Sequence, residues 1–384
     1  MSESVLAAAL SVAIAFICGV LVPWGAIRMM MKAHTPRPAA AVNYRGRAIA
    51  PVLGVVWPIW AVSLLVGQTI LEAVGTLGLD IPPGAAVWER IGSTPLALPL
   101  FGVPFLLVTG TYAFGMADDA FGDNAYKGFS GHLRALRAGR LTTGLLKMAG
   151  IGGIALVYGA SAASGVLQRS GVEGDPVLHA GLFAAAWLLA ALTIALAANL
   201  LNLLDLRPGR ALKSYVVLVA APAALFSASG VAAYNDQVVA YAGEISGLAL
   251  GSGEALAVSA GMLLIVLGPA LAVWRYDLGE RGMLGDGGAN AAGAVVGYLL
   301  AGVLSLTGLA VATGVLLVLN VASERVSFSA IIERVGFLRW LDGLGRGVLP
   351  DEMSLPSGGE SGDGAAQAPP VRYDANGTAS EGED

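Results

Sequence analysis

Long apolar segments alternate with short polar ones along most of this chain. Most of them approach the roughly 20 residues that a helix needs to cross about 30 Å of hydrocarbon. The longest run, from Ala289 to Ser323, would overshoot the bilayer as one straight helix, so we predict a turn at Ser305-Leu-Thr-Gly308. The pattern therefore predicts an all-α, polytopic membrane protein with about nine spans: residues 4–31, 49–75, 96–116, 144–166, 178–198, 212–233, 255–274, 289–304 and 309–322.

The basic residues of the loops indicate how these spans are oriented. If the N-terminus lies outside, most Lys and Arg residues fall in cytoplasmic loops, and only Arg90 and Arg169 fall outside. This is the usual bias of membrane proteins. The first span follows Glu3 and precedes Arg28 and Lys32, which is the reverse of the charge order of a cleaved signal peptide. We expect a multi-pass plasma-membrane protein with its N-terminus outside and its C-terminus in the cytoplasm.

Composition narrows the possible chemistry. With 56% hydrophobic and 13% charged residues, and a mean hydropathy of +0.71, the chain lies outside the ordinary soluble range. The single cysteine, Cys18, excludes a disulfide within the chain, and three scattered histidines give little material for a zinc site. We therefore expect any metal to be a hard cation bound by carboxylates, and nucleic acid is not an expected partner.

The chain divides into three parts. Residues 1–326 form the transmembrane domain, residues 327–346 an amphipathic helix, and residues 347–384 an acidic tail that we expect to be disordered in the cytoplasm. In the middle part, apolar residues from Phe328 to Leu344 recur at helical spacing with charged residues between them. That helix either lies in the membrane interface or docks on the cytoplasmic loops, and periodicity does not decide between the two.

Candidate chemistry begins in the stretch Gly115 to Lys127, GMADDAFGDNAYK, which directly follows a predicted span. Asp118 and Asp119 would point about 100° apart on a helix, so we expect them to have different roles. Lys127 offers a compact cation for phosphate oxygens. Taken alone, such an acidic pair is also compatible with a solvated helix end.

Two later stretches repeat polar groups at span ends. Asn199, Asn202 and Asp205 are spaced to share one side of a helix, either for binding or for hydrogen bonds between helices. Asp286 lies among glycines that let a backbone approach a phosphate, and the next helix begins there with N-terminal amides that favour anions. A glycine-rich turn without function is the alternative for Asp286.

The three stretches together carry a resemblance. GMADDAFGDNAYKG, ANLLNLLDLRPG and MLGDGGAN occur in this order, each at a predicted cytoplasmic span end. They resemble the motifs of the polyprenyl-phosphate N-acetylhexosamine-1-phosphate transferases, which include phospho-N-acetylmuramoyl-pentapeptide transferase, and coverage runs from the first span to about residue 322. The resemblance implies a Mg²⁺-dependent enzyme, with Mn²⁺ as an alternative, that transfers a sugar-1-phosphate from a UDP-sugar to polyprenyl phosphate and releases UMP in cell-envelope glycan synthesis.

The resemblance also implies roles for individual residues. Asp118 and Asp119 match the paired aspartates of the family, the first being its proposed base or nucleophile, and Asp286 matches the metal-binding aspartate. Asp205 matches the aspartate of the family's Asn-Leu-x-x-Asp stretch. The expected site is therefore Asp118, Asp119 and Lys127 for catalysis, Asn199, Asn202 and Asp205 for substrate binding, and Asp286 for metal. Expected partners are polyprenyl phosphate, a UDP-sugar and the membrane, with a homodimer as an option.

Two features differ from the family pattern. The chain has nine predicted spans instead of ten and reads Ser323-Glu-Arg-Val-Ser-Phe328 where the family has a His-rich motif. Pro208 or Gly209 stands where the pentapeptide transferase has a further aspartate. A catalytically silent membrane scaffold is therefore the alternative to an enzyme. A transporter is disfavoured, because the predicted spans hold almost no ionisable residues.

Overall fold

A computed structural model describes residues 13–14, 16–33, 41–42, 48–49, 51–76, 105–122, 128–172, 176–242 and 252–345. Its helices are α1 (Val22–Ala33), α2 (Val56–Thr76), α3 (Phe105–Phe121), α4 (Gly128–Arg137), α5 (Thr143–Arg169), α6 (Pro176–Leu204), α7 (Arg210–Ala242), α8 (Ser252–Leu278), α9 (Gly285–Val303), α10 (Leu306–Ser323), α11 (Phe328–Arg334) and α12 (Gly336–Gly343). A π-helical turn, Ile17–Leu21, precedes α1, and a 3₁₀ turn, Leu53–Val55, precedes α2. The only strands in these ranges are the antiparallel pair β1 (Ala41–Val42) and β2 (Ala48–Ile49).

The helices bear out the prediction of an all-α membrane protein. Within the described ranges, four are long and apolar enough to cross a bilayer: Thr143–Arg169, Val177–Leu204, Ser259–Leu278 and Leu306–Ser323. Each of the nine predicted spans overlaps one described helix. A break between the two helices is present near the predicted turn, but it lies at residues 304–305, because α9 ends at Val303 and α10 begins at Leu306. Ser305 caps α10, and its hydroxyl accepts a hydrogen bond from the Gly308 N–H.

Helix α9 is the centre of the bundle, and most of its residues are buried. Its small residues let neighbouring helices approach its backbone closely. A Cβ at Gly293 would lie 2.2 Å from the carbonyl oxygen of Ala197, and one at Gly297 would lie 2.5 Å from Cα of Ile194. Backbone-to-backbone packing of this kind is how small residues bring membrane helices together, and here it presses α6 against α9.

Pro269 lies inside α8, and two aromatic side chains hydrogen-bond to the turn before it. Pro269 has no N–H, so the carbonyl of Ile265, four residues earlier, lacks its helical partner. The indole of Trp60 donates to the carbonyl of Ile265 at 2.9 Å. The hydroxyl of Tyr215 donates to the carbonyl of Val266 at 2.7 Å. Helices α2 and α7 are thereby fixed to α8 beside Pro269.

The opposite end of α9 is capped by Arg169, the last residue of α5. Its guanidinium donates to the carbonyl oxygens of Leu304 at 3.1 Å and Ala301 at 2.7 Å. A cation at this position complements the negative end of the helix dipole. Arg169 is one of the two basic residues that the predicted topology places outside, and this contact gives it a structural role there.

The amphipathic segment predicted at 327–346 forms two short helices, α11 and α12, instead of one. The backbone is extended at Val335, between them. Arg210 pairs with Asp342, Nε to Oδ1, at 3.0 Å, and Lys213 donates to the carbonyl oxygen of Asp342 at 2.6 Å. One edge of the segment is therefore docked on the start of α7. The predicted tail, 347–384, lies outside the described residues.

Candidate active site

Lys147 joins two of the predicted acids. Its Nζ lies 2.6 Å from Oδ2 of Asp118 on α3 and 2.5 Å from Oδ2 of Asp286 on α9. The three side chains are only 12%, 17% and 34% exposed, respectively. Three helices that are distant in sequence therefore place two carboxylates around one ammonium group at the edge of the bundle.

The start of α5 positions Lys147. Thr142 caps this helix by accepting a hydrogen bond from the Leu145 N–H at 3.2 Å, which places Lys147 about one turn inside it. His132 of α4 contacts the Thr142 hydroxyl, Nδ1 to Oγ1, at 2.8 Å and holds the cap. Thr143 also hydrogen-bonds to Asp118, so the first turn of α5 contacts the acid that Lys147 pairs with.

A glycine brings the acids of α3 to α9. A Cβ at Gly115 would lie 2.5 Å from the carbonyl oxygen of Asp286, so only glycine permits this approach of the two helices. Asp118 and Asp119 follow within about one turn. They contact different groups, because Asp118 reaches Lys147 whereas Asp119 Oδ2 accepts the Gly287 N–H at 3.2 Å.

The first amides of α9 are occupied by the chain's own carboxylates. Asp119 accepts hydrogen bonds from the N–H groups of Asp286 and Gly287, and Asp205 accepts one from the Gly285 N–H. We had expected these amides to be open to a substrate anion. In the structure they bind Asp119 of α3 and Asp205 of the α6–α7 loop instead. The N-terminus of α9 therefore binds anions, as helix N-termini do, but these anions are carboxylates of the protein itself.

Burial and neighbouring charge give the two paired aspartates different pKa values. Burial raises the pKa of Asp119 to about 6, and the nearby negative charge of Asp286 acts in the same direction. Burial alone would also raise the pKa of Asp118, but hydrogen bonds from Lys147 and Thr143 and the lysine charge hold it below its ordinary value. Asp118 is therefore the stronger acid of the pair and keeps its negative charge to a lower pH than Asp119.

Asp205 is the most enclosed acid of the group, at 8% exposure. Burial, followed by the negative charges of Asp277 and Asp286, raises its pKa well above the ordinary value. Its Oδ2 has no hydrogen-bond partner among the described residues. Asp277, which is 1% exposed, accepts the Gly209 N–H at 2.6 Å and fixes the loop that follows Asp205.

The remaining predicted residues have other surroundings. Asn199 donates to Oδ1 of Asn320 at 2.6 Å, which is the hydrogen bond between helices that the sequence left open as its alternative role. Asn202 is half-buried on the last turn of α6, and its carbonyl accepts the Asp205 N–H at 3.2 Å. Lys127 lies outside the described residues.

Lys147 was missed by the sequence analysis although its signal is clear. It lies inside the predicted span 144–166, and an ionisable residue in a span is a functional candidate by default. The statement that the spans hold almost no ionisable residues overlooked this one. Lys147 supplies a cation between the predicted acids, whereas Lys127 had been expected to offer a cation to phosphate oxygens.

The carboxylates fit a hard cation. Oδ2 of Asp118 and Oδ2 of Asp286 converge on one point, which is the position of the Lys147 ammonium. No group of three or more His, Cys, Asp or Glu side chains is arranged for a metal in the part of the chain that the structure describes. Two carboxylates, completed by phosphate oxygens and water, are a donor set that Mg²⁺ accepts.

No family model matches the chain, and no curated protein matches it.

Proposed function

We propose that this protein transfers a sugar-1-phosphate from a UDP-sugar to polyprenyl phosphate, with release of UMP, in cell-envelope glycan synthesis. The observation that carries the proposal is the contact of Lys147 with both Asp118 and Asp286. It joins the first and third of the motifs that carry the family resemblance, at the ends of helices in a membrane protein. A lipid phosphate and a water-soluble nucleotide can meet only at such a surface.

The proposed reaction exchanges one phosphoanhydride bond for another. An oxygen of the polyprenyl phosphate attacks the β-phosphorus of the UDP-sugar, and the bond from that phosphorus to the bridging oxygen breaks. UMP leaves with the bridging oxygen. Phosphoryl transfer of this kind depends mainly on positioning and on neutralising charge, which is what buried carboxylates and a lysine supply.

The chain's own residues divide the work. Lys147 binds phosphate oxygens as a point charge. When a substrate enters, Lys147 gives up part of its contact with Asp118 and Asp286. Asp118, ionised at neutral pH, orients the lipid phosphate and accepts its proton if that group is protonated. Asp119 and Asp205 hold the first turn of α9 and so fix Asp286. Mg²⁺, or Mn²⁺ in its place, would be held by Asp118 and Asp286 and would neutralise charge on the phosphates.

The proposed topology follows from the loop charges. We place nine helices across the plasma membrane, with the N-terminus outside and the site facing the cytoplasm, where UDP-sugars are found. Cysteines near Arg137 should then react only with cytoplasmic reagents, whereas one near Ser170 should be labelled from outside. Labelling of position 137 from outside would show that the orientation is the opposite of the proposed one.

The test is UMP release by the purified full-length protein with polyprenyl phosphate, Mg²⁺ and a panel of UDP-sugars. We expect release that depends on both substrates, is abolished by EDTA, and falls by about 100-fold or more in Asp118→Asn and Asp286→Asn. Glu324→Gln, an exposed acid outside the site, is the matched control and should keep its activity. Full activity in excess EDTA would contradict the metal-dependent mechanism.

A second experiment separates the enzyme from the scaffold. A deletion strain should be rescued by the wild-type chain but not by the double variant Asp118→Asn, Asp286→Asn. Rescue by that variant would contradict the enzymatic function and support the scaffold.

A further inference from the structure

Basic residues of α7 bind one edge of the C-terminal helices α11 and α12. The Arg210 guanidinium donates to both carboxylate oxygens of Asp342, at 3.0 and 3.2 Å, and to the Ser329 hydroxyl at 2.9 Å. Lys213 donates to the carbonyl oxygens of Leu341 and Asp342 at 3.0 and 2.6 Å. Arg210 and Asp342 are 4% and 9% exposed, so this edge is a buried junction.

The chain keeps this helix pair beside the membrane. Helix α11 begins at Phe328, five residues after Ser323 ends α10, which is one of the four candidate spans. Five residues extend at most about 17 Å even when fully stretched. The pair must therefore lie close to the end of a membrane helix.

The other edge of the pair presents apolar side chains outward. Phe337 is 66% exposed and Trp340 is 59% exposed, and their rings stack with centroids 5.9 Å apart. Ile331, Val335 and Leu344 are also exposed. Large aromatic side chains left outward in a group mark a contact surface, and tryptophan is enriched at the membrane interface.

Charge identifies the occupant of this surface. Glu333 forms a surface ion pair with Arg207, and the buried Asp342 pairs with Arg210, so both acids of the two helices have basic partners within the protein. Arg334 and Arg339 are exposed in the same two helices. Aromatic and basic residues on one short amphipathic unit are the combination that binds an anionic lipid surface.

We propose that α11 and α12 form a docking surface for anionic lipid, with Phe337 and Trp340 inserted among the headgroups and Arg334 and Arg339 on lipid phosphates. This inference does not rest on the proposed reaction. It has a consequence for the site, because Arg207 and Arg210 lie two and five residues after Asp205 in the chain. Lipid that holds the helix pair in place also holds the loop that carries Asp205 against α9.

The test places an environment-sensitive probe on the aromatic edge. Because Cys18 is the only cysteine of the chain, Cys18→Ala gives a cysteine-free protein for labelling Phe337→Cys with bimane in the full-length chain. Nanodiscs of phosphatidylcholine, with or without phosphatidylglycerol, carry nitroxide lipids labelled just below the headgroups. A label at Ala138→Cys, in the exposed turn after α4, is the matched control.

We expect nitroxide quenching at position 337 to exceed that at position 138 by about twofold or more and to increase with phosphatidylglycerol. The double variant Arg334→Glu, Arg339→Glu should remove that increase, whereas Arg134→Glu, Arg137→Glu on α4 should leave it. Quenching of the 337 label by aqueous iodide instead would show a surface that faces water. Resistance to both quenchers would show a surface covered by protein, such as a second copy, and either result would overturn the proposal.

Discussion

The ammonium of Lys147 lies 2.5 Å from Oδ2 of Asp286, although 139 positions separate the two residues. Asp118 approaches the same ammonium from a third helix. One positive charge then faces two carboxylates, so the cluster carries an excess negative charge when both acids are ionised. In the proposed reaction, this excess negative charge would favour binding of Mg²⁺ near the acids, and Lys147 would exchange one of its acids for a substrate phosphate.

Replacement of Lys147 by methionine should abolish turnover. The unbranched apolar side chain keeps similar length but leaves two partly buried carboxylates close together without a cation. We expect UMP release to fall by about 100-fold or more. Lys147→Arg should also be strongly impaired, because a planar guanidinium does not replace a compact ammonium. Lys32→Met, at the exposed end of α1, is the control, and equal loss in both variants would contradict a specific role for Lys147.

Gly115→Ala should damage the site from a distance. Its new methyl group would lie 2.5 Å from the Asp286 carbonyl oxygen, so α3 and α9 must separate. Overpacking of this kind costs about 1–3 kcal/mol, and it moves Asp118 away from Lys147. The matched variant is Gly152→Ala on α5, where no atom lies within 4 Å. We expect the thermal unfolding midpoint and the rate of UMP release to fall in Gly115→Ala and to stay near wild type in Gly152→Ala. Equal behaviour of the two variants would exclude close packing as the cause.

The titration of Asp119 should appear in the pH dependence of stability. Its pKa is raised from 3.8 to about 6 in the folded state, first by burial and then by the charge of Asp286. Between these values the folded state holds the proton more tightly than the unfolded state, so stability falls as pH rises from about 4 to about 6. Asp119→Asn, which cannot ionise, should lack this component. The measurement is the unfolding midpoint of both proteins across that range with EDTA present, and identical slopes would show that Asp119 does not titrate there.

Trp60→Phe should weaken the contact of α2 with α8 beside Pro269. The phenyl ring retains most of the packing but cannot donate to the carbonyl of Ile265, which Pro269 leaves without its helical partner. An unsatisfied buried acceptor costs about 1–3 kcal/mol. The matched variant Trp24→Phe changes a partly exposed indole on α1. Unfolding in detergent should shift for Trp60→Phe and remain near wild type for Trp24→Phe.

The sequence predicted the fold better than it predicted the contacts of the site. Apolar length and turn residues placed the break between α9 and α10 at Ser305, because span length and capping are local properties of the chain. The acids Asp118, Asp119, Asp205 and Asp286 are brought together around the start of α9, as their shared position at span ends suggested. These predictions needed only periodicity and the position of polar groups.

The contacts that the sequence did not predict depend on which helices become neighbours. Asn199 hydrogen-bonds to Asn320 of α10, a partner that the local sequence of α6 does not reveal. The first amides of α9 bind Asp119 and Asp205, which depends on how closely α3 approaches α9. The backbone is extended at Val335, which divides α11 from α12. Lys147, in contrast, could have been identified from the sequence as a lysine within an apolar run.

The most direct measurement of the central claim follows the β-phosphate of the donor. UDP-sugar labelled with ³²P at that position is incubated with polyprenyl phosphate, Mg²⁺ and the purified protein, and the product is partitioned between water and organic solvent. The proposed reaction moves the label into the organic phase with one UMP released for each lipid product, and excess UMP returns it to water. Label that stays in water for every UDP-sugar tested, with a folded protein and intact Lys147, Asp118 and Asp286, would contradict the account.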